Sequence, residues 1–234
     1  MSLQKKTTSG FFWVIGHQLT VQTINFVVLI ILARILSPAD FGLIAMLQVF
    51  IAIGMVLLDG GMASSLIRTK EISNKDYSTV FFLNLVISIF IYLALYFAAP
   101  LIAVFFKQPP LINIVRVYTI IFILQALVSV QNTKLTREMN FRLQFYMQLP
   151  ATISGAIAGI WFAYNGYGVW SLVYMNLIRT AIFMIQHWIF TDWNPIFIID
   201  KKLLRLHFSF GYKLTLIGII NTAYNNIYDI VIGK

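Results

Sequence analysis

Cysteine is absent from the chain, which removes disulfide bridges, thiolate metal centres and cysteine nucleophiles together. Charge is scarce as well: Asp, Glu, Lys and Arg make up 11% of the 234 residues, against about a quarter in an ordinary soluble domain. The three histidines, His17, His187 and His207, lie in separate runs or connections, so no metal-ligand spacing arises. There is no phosphate-cradling glycine loop, no Ser/His/Asp set on one side, and no carboxylate pair at a useful separation. These absences argue against an enzyme, and no cofactor is expected.

What fills the chain instead is hydrocarbon. Hydrophobic residues make up 59% of it and the mean hydropathy is +0.82. They gather into uncharged runs such as 11–32 and 43–58. Runs of about 20 residues match ~30 Å of bilayer core at 1.5 Å rise per residue. Lipid leaves backbone groups without outside partners, and ten-residue alternating strands are missing, so the expected class is an all-α integral membrane protein. Seven spans are expected, near 11–33, 42–64, 78–100, 111–131, 146–164, 168–190 and 209–232. The basic start Lys5-Lys6 before an apolar run looks like a signal peptide, but no small-residue cleavage pattern follows, so the run is read as a retained first helix. The seventh run reaches Gly233-Lys234, which suggests the front portion of a longer transporter-like protein.

Seventeen Lys and Arg against eight Asp and Glu give a net charge of +9. The N-terminus and the second, fourth and sixth connections hold most of the cations, among them Arg68, Lys70, Lys75, Lys134, Arg137, Arg142, Lys201, Lys202 and Arg205, while the other side's connections hold Arg34 and Lys107. The positive-inside rule then places the N-terminus in the cytoplasm. Cations dispersed over four segments do not make one nucleic-acid face, and no nucleic-acid partner is expected.

Polar groups inside spans are costly and mark interiors or wet cavities. Arg179 lies near the middle of the sixth span, and at 100° per residue Asn176, Arg179, Thr180, Gln186 and His187 share about a third of the helix circumference. A guanidinium there can take a phosphate or carboxylate with two hydrogen bonds, or it can be satisfied structurally between helices. In the first span Gln18, Gln22 and Asn25 form a polar face beside His17. In the seventh, Gly218, Thr222, Asn225 and Asp229 do the same. Both faces suit interhelical hydrogen bonding plus cavity lining. The candidate substrate-binding residues are therefore Arg179, Asn176, Thr180, Gln22, Asn25 and Asn225, with Asp59 and Asp229 as possible ion or charge partners and no metal site. Arg116 is close enough to its span end to snorkel, and Gly155-x-x-x-Gly159 predicts close helix packing. In the first turn, Arg34 either pairs with Asp40 as a gate or caps the first helix, whose C-terminal dipole favours a cation.

That turn, 32–42, resembles the first-turn pattern of the polysaccharide transporter family, the Wzx-like flippases of the multidrug/oligosaccharidyl-lipid/polysaccharide exporter superfamily. In the same order, 59–68 is similar to the family's second-span exit, 135–142 to its basic loop, 166–173 to its fifth turn, and Phe210-Gly211 and 228–234 to the start and finish of its seventh span. The resemblance implies a lipid-linked oligosaccharide flippase of the bacterial inner membrane, in which two six-helix lobes give alternating access to an undecaprenyl-pyrophosphate substrate and no enzyme activity is involved. Residues 1–208 would form the first lobe and 209–234 the start of the second. A coupling ion, H+ or Na+, and other polysaccharide-assembly proteins are the partners it implies, beside the membrane lipids. A drug or metabolite exporter of the same superfamily and a membrane-embedded glycan polymerase or ligase are the competing readings. Short outer connections disfavour a polymerase, which needs a large extracytoplasmic loop.

Overall fold

The computed structural model describes residues 3–225, with side chains described from Trp13 onward except at 223 and 225. The described residues form nine helices and no strand, as the apolar runs require. α1 (Leu3–Ile35) is followed by α2 (Pro38–Asp59) after a two-residue turn. Ser37 closes that turn with a capping box: its backbone N–H donates to the Asp40 carboxylate at 3.0 Å and the Asp40 N–H donates to the Ser37 hydroxyl at 3.3 Å. Pro38 occupies the first helical position, where its missing N–H costs nothing.

The second span is not the continuous helix expected over 42–64. It breaks at Gly60 and Gly61, whose φ values of 52° and 67° lie in the left-handed region that glycine enters without penalty. A short α3 (Met62–Arg68) follows. The Asp59 carboxylate accepts hydrogen bonds from the Gly61 and Ala63 amides, holding the start of α3. Its end is held by Arg137, whose guanidinium donates to the carbonyls of Leu66 at 2.6 Å, Ile67 at 3.1 Å and Lys70 at 3.0 Å. A cation at a helix C-terminus satisfies orphan carbonyls and the dipole together.

α4 (Asn74–Phe105) runs beyond the expected 78–100 at both ends, its start fixed by a second capping box between Ser73 and Asp76. The fourth span also divides, into α5 (Leu111–Tyr118) and α6 (Ile121–Arg137). At the break the Thr119 hydroxyl donates to the Val115 carbonyl at 2.8 Å, and the turn tightens to i→i+3 bonds such as Phe122 N–H to Thr119 carbonyl at 3.1 Å. α7 (Phe141–Tyr164) and α8 (Trp170–Phe190) form a hairpin. α9 (Lys201–Asn225) starts earlier than the expected 209 because the Asp200 carboxylate caps it, accepting from the Lys202 N–H at 2.8 Å.

Of the seven spans expected, two are broken, and the seventh is described only as far as residue 225. Among the described residues five are long and apolar enough to cross a membrane by length and composition, namely those of α1, α2–α3, α4, α5–α6 and α9. α7 and α8 carry Gln144, Gln148, Asn176, Arg179 and Gln186 and join the same bundle. The protein is a multi-pass α-helical membrane protein. Its outer face confirms the class: Phe97 and Val104 of α4 are 73% and 76% exposed, an arrangement suited to lipid and unsuited to water.

Three apolar clusters hold the bundle. One joins α2, α4, α5, α6 and the start of α8 around the fully buried Phe122, whose ring sits where a side chain on Gly54 would go. A second packs Met62, Leu66, Phe81 and Val130 with Trp193 from the α8–α9 connection. The third joins α1, α7 and α8 through Val28, Leu32, Ala163 and Leu172. That connection is strapped to α4: the Ile196 N–H donates to the Ser78 hydroxyl at 3.0 Å and the Asp200 N–H to the Thr79 hydroxyl at 3.2 Å.

α9 reaches α2 and α3 through glycine. A Cβ added at Gly61 would lie 2.7 Å from the Gly211 carbonyl oxygen, and one added at Gly218 would lie 2.8 Å from Val56 Cγ1 and 3.9 Å from Val56 Cβ. The last distance suits a disulfide, whose Cβ atoms stand about 3.8 Å apart. In this cysteine-free chain, Val56→Cys with Gly218→Cys is expected to oxidise to an intramolecular bridge, read as a reductant-sensitive mobility shift. Failure to bridge under copper-catalysed oxidation would refute the α2–α9 packing.

Candidate functional site

The site begins with two glycines. A Cβ on Gly155 would stand 2.7 Å from Arg179 Cβ and 2.8 Å from the Met175 carbonyl oxygen, and one on Gly159 would stand 2.9 Å from Met175 Cβ. The GxxxG of α7 therefore lets α8 approach backbone to backbone, as its spacing predicts, and sets Arg179 against α7.

From there the guanidinium borders a cavity of about 560 Å³ between α1, α2, α7 and α8. Asn25, Gln48, Thr152 and Asn176 supply polar side chains on its wall, and Val28, Leu32, Ala156 and Leu172 supply the apolar remainder. Among the described residues the ion pairs are Lys134–Glu138 at 3.9 Å and His207–Asp76 at 3.1 Å, so no carboxylate meets Arg179. The ionisable side chain that senses its charge is Tyr118, at the end of α5. The alternative of a structurally paired Arg179 thus finds no acid among the described residues.

Its neighbours are partly spent on their own helix. Asn176 donates from Nδ2 to the Leu172 carbonyl at 2.9 Å, which leaves its side-chain oxygen over. The Thr152 hydroxyl donates to the Gln148 carbonyl at 2.9 Å. A cavity with one cation, several amides and an apolar wall can receive an anionic, hydroxyl-rich group whose remainder is apolar.

The structure brings together Arg179, Asn176 and Asn25 of the residues expected from sequence. Thr180 is turned to its own helix, donating to the Asn176 carbonyl at 2.9 Å, and lies off the cavity wall. Gln22 is exposed and also off it: it shares a face of α1 with the cavity-lining Leu29 but lies about 10 Å earlier along the helix. Asp59 serves α3, as described above. The Asn225 side chain and Asp229 lie outside the described residues. Arg34 is exposed in the last turn of α1, whereas Asp40 turns to Ser37; the described ion pairs hold none between the two. Arg116 stacks over the Tyr96 ring at 4.5 Å, with its Nε buried and unpartnered, instead of snorkelling. Gln48 and Thr152 were not expected: Gln48 is an isolated polar residue in an apolar helix, whereas Thr152 continues the row Gln144, Gln148, Thr152 at four-residue spacing on α7, a stripe that could have marked it.

A second polar centre overturns the expectation that no Ser, His and Asp meet. Fully buried His207 of α9 lies between Ser65 of α3, with Nδ1 2.8 Å from the hydroxyl oxygen, and Asp76 of α4, with Nε2 3.1 Å from the carboxylate. All three are buried, and the set ties α9 to α3 and α4. Neutral His207 donates from Nε2 to Asp76 and accepts from Ser65; the imidazolium donates to both.

The family model described as "Polysaccharide biosynthesis protein" matches residues 31–234. The chain belongs to that family. It is 26% identical over 209 residues to the succinoglycan biosynthesis transport protein ExoT of Rhizobium meliloti (strain 1021), covering 88% of this chain and 42% of that protein. It is 25% identical over 245 residues to the lipopolysaccharide biosynthesis protein WzxC of Escherichia coli (strain K12), covering 100% and 48%. With the teichuronic acid biosynthesis protein TuaB of Bacillus subtilis (strain 168) it shares 22% over 241 residues, covering 100% and 49%. The chain therefore spans about half the length of the curated relatives it matches. No solved structure matches it.

The Gly155 contact is backbone-limited, so Gly155→Ala is expected to destabilise by ~1–3 kcal/mol through overpacking. Gly42→Ala, where nothing lies within 4 Å of the new Cβ, is expected to stay within ~0.5 kcal/mol or gain helix propensity. Thermal unfolding of the purified variants reads both, and equal effects would contradict the packing. His207→Ala strands a buried carboxylate and is expected to lower stability by ~2–3 kcal/mol in the same measurement.

Proposed function

We propose that the protein is part of a transporter that exports polysaccharide precursors, carrying lipid-linked oligosaccharide on an undecaprenyl-pyrophosphate anchor across the bacterial inner membrane, and that it is not an enzyme. The observation that carries this reading is Arg179: a guanidinium midway along α8, beside a cavity lined by amides, with no acid to neutralise it among the described residues. Burying a charge without a partner is costly, and a pyrophosphate supplies the missing charge with oxygens arranged for a bidentate fork. The names of ExoT as a transport protein and of WzxC as a lipopolysaccharide biosynthesis protein support the substrate class.

In this reading a pyrophosphate and its sugars exchange water for Arg179, Asn176, Asn25 and Gln48, while the isoprenoid tail stays in the bilayer. The N-terminus is cytoplasmic, following the cation-rich connections. Helices α1 to α8 form the first of two lobes and α9 begins the second, and the lobes rock about the cavity. A proton or sodium gradient, or the membrane potential, supplies direction, and other polysaccharide-assembly proteins deliver and consume the cargo. Asp59 and Asp229 are the acidic side chains proposed for the coupling ion, with Asn225 a further contact to substrate.

The test uses a strain lacking its own flippase, complemented with the complete gene that encodes this chain. Arg179→Ala is expected to lower surface polymer at least tenfold, equivalent to ~1.4 kcal/mol or more of lost stabilisation, and to accumulate the lipid-linked intermediate on the inner leaflet. Arg179→Lys keeps the charge without the fork and is expected to retain part of the activity. Unchanged polymer in Arg179→Ala, with normal membrane insertion, would sink the assignment.

A further inference from the structure

A second cavity lies along the same α1–α7 seam, and nothing said so far uses it. It measures about 300 Å³ and is lined by Trp13, His17 and Thr20 of α1 and Phe145 of α7, with Gly16 leaving open space on the α1 side. Three of its lining side chains carry rings, Trp13, His17 and Phe145, with Tyr146 beside Trp13. The Trp13 ring stands 5.6 Å from Phe145 and 5.9 Å from Tyr146, and the His17 ring meets Phe145 edge-on at 5.9 Å. Arg142 caps the cluster, its guanidinium carbon 5.8 Å from the Trp13 ring and 5.5 Å from that of Tyr146. One polar atom is left over: His17 Nε2 is buried and has no hydrogen-bond partner. The Thr20 hydroxyl, by contrast, is already bonded to the Gly16 carbonyl at 2.7 Å.

The class of ligand follows from this composition. A purely apolar chain would leave the His17 nitrogen and the Arg142 donors unused, and a cationic headgroup would meet Arg142 already on the rings. An inorganic anion would need Arg142 alone and gain nothing from three aromatic rings. A pyranose ring meets all the features at once. Its C–H face lies against an aromatic face, whose electron density attracts C–H hydrogens, and its hydroxyls both donate and accept at the rim.

Placement points the same way. Along α1, His17 precedes Asn25 by about 12 Å at 1.5 Å per residue, and along α7, Phe145 precedes Thr152 by about 10 Å. Asn25 and Thr152 both line the Arg179 cavity. The aromatic box thus sits one short oligosaccharide's reach from the guanidinium, toward the end of the bundle that carries Arg142 and Arg137.

We propose that Trp13, His17, Phe145 and Tyr146, capped by Arg142, form a carbohydrate subsite that holds a sugar of the cargo while its pyrophosphate is at Arg179. This rests on the transport reading above and adds to it a second point of attachment, which recognises the glycan apart from its lipid anchor.

The experiment titrates the full-length protein with two probes, plain undecaprenyl pyrophosphate and the lipid-linked repeat unit isolated from the strain that carries the gene. Wild type is expected to bind the glycan-bearing probe about tenfold more tightly than the plain one. Trp13→Ala is expected to erase that difference and leave plain-probe affinity unchanged; Trp13→Phe, which keeps a stacking face, stays within about threefold of wild type. His17→Ala is expected to lose affinity for the glycan-bearing probe alone, and Arg179→Ala to lose both. Equal binding of the two probes by wild type, or Trp13→Ala weakening both in parallel, would overturn the subsite while leaving the transport reading standing. Failure of wild type to bind either probe would overturn both.

Discussion

Hydrocarbon offers no hydrogen bonds, so every polar group carried into the bundle must find its partner within the protein, and the structure is organised by how each one does so. Most solve the problem locally. Thr20, Thr119, Thr133, Thr152 and Thr180 donate to the carbonyl four residues back on their own helices, and Asn176 does the same with its amide. Others solve it across elements: Asn84 donates to Ser129 at 3.0 Å between α4 and α6, and His207 is held between Ser65 and Asp76. Gln131, Ser171 and His187 keep buried polar atoms without a hydrogen-bond partner, and half-buried Arg179 adds a charge with no acidic partner among the described residues, a place where a ligand is favoured.

Backbone breaks follow the same constraint. α2 and α3 separate at two left-handed glycines, and the exposed ends of the break are satisfied by Asp59 on one side of α3 and Arg137 on the other. Irregular backbone at membrane depth survives only where protein supplies what water would have supplied. The same glycines let α9 cross the break closely, since a Cβ on Gly61 would collide with Gly211. One sequence feature, Asp59-Gly60-Gly61, therefore ends a helix, starts the next and seats a third.

The long-range plan was legible in the sequence because it depends on composition and period. The all-helical membrane class and the packing role of Gly155 and Gly159 follow from residue type and helical spacing, and the family follows from ordered patterns at the turns. What stayed hidden depends on which helices meet. Gln48 and Thr152 face the cavity because α2 and α7 border it, and neither a lone glutamine nor the row Gln144, Gln148, Thr152 says which helices meet there. Ser65, Asp76 and His207 are separated by 11 to 142 residues, with 142 between the serine and the histidine, and their meeting follows only from the crossing of α9. Gln22 illustrates the reverse error: it shares a polar stripe with Asn25, but the stripe is longer than the part of α1 that borders the cavity.

These two classes of polar group also divide the labour of stability and function. The His207 centre is complete: both ring nitrogens have a partner, Ser65 at Nδ1 and Asp76 at Nε2, so it holds α9 in place. Arg179 and the Nε2 of His17 are incomplete, and an incomplete polar group in a low-dielectric setting lowers its free energy by taking a ligand. Binding at such groups is favoured by what they lack, and the transport reading proposed for this chain sets its cargo along the α1–α7 seam, against the fully partnered α3–α4–α9 corner.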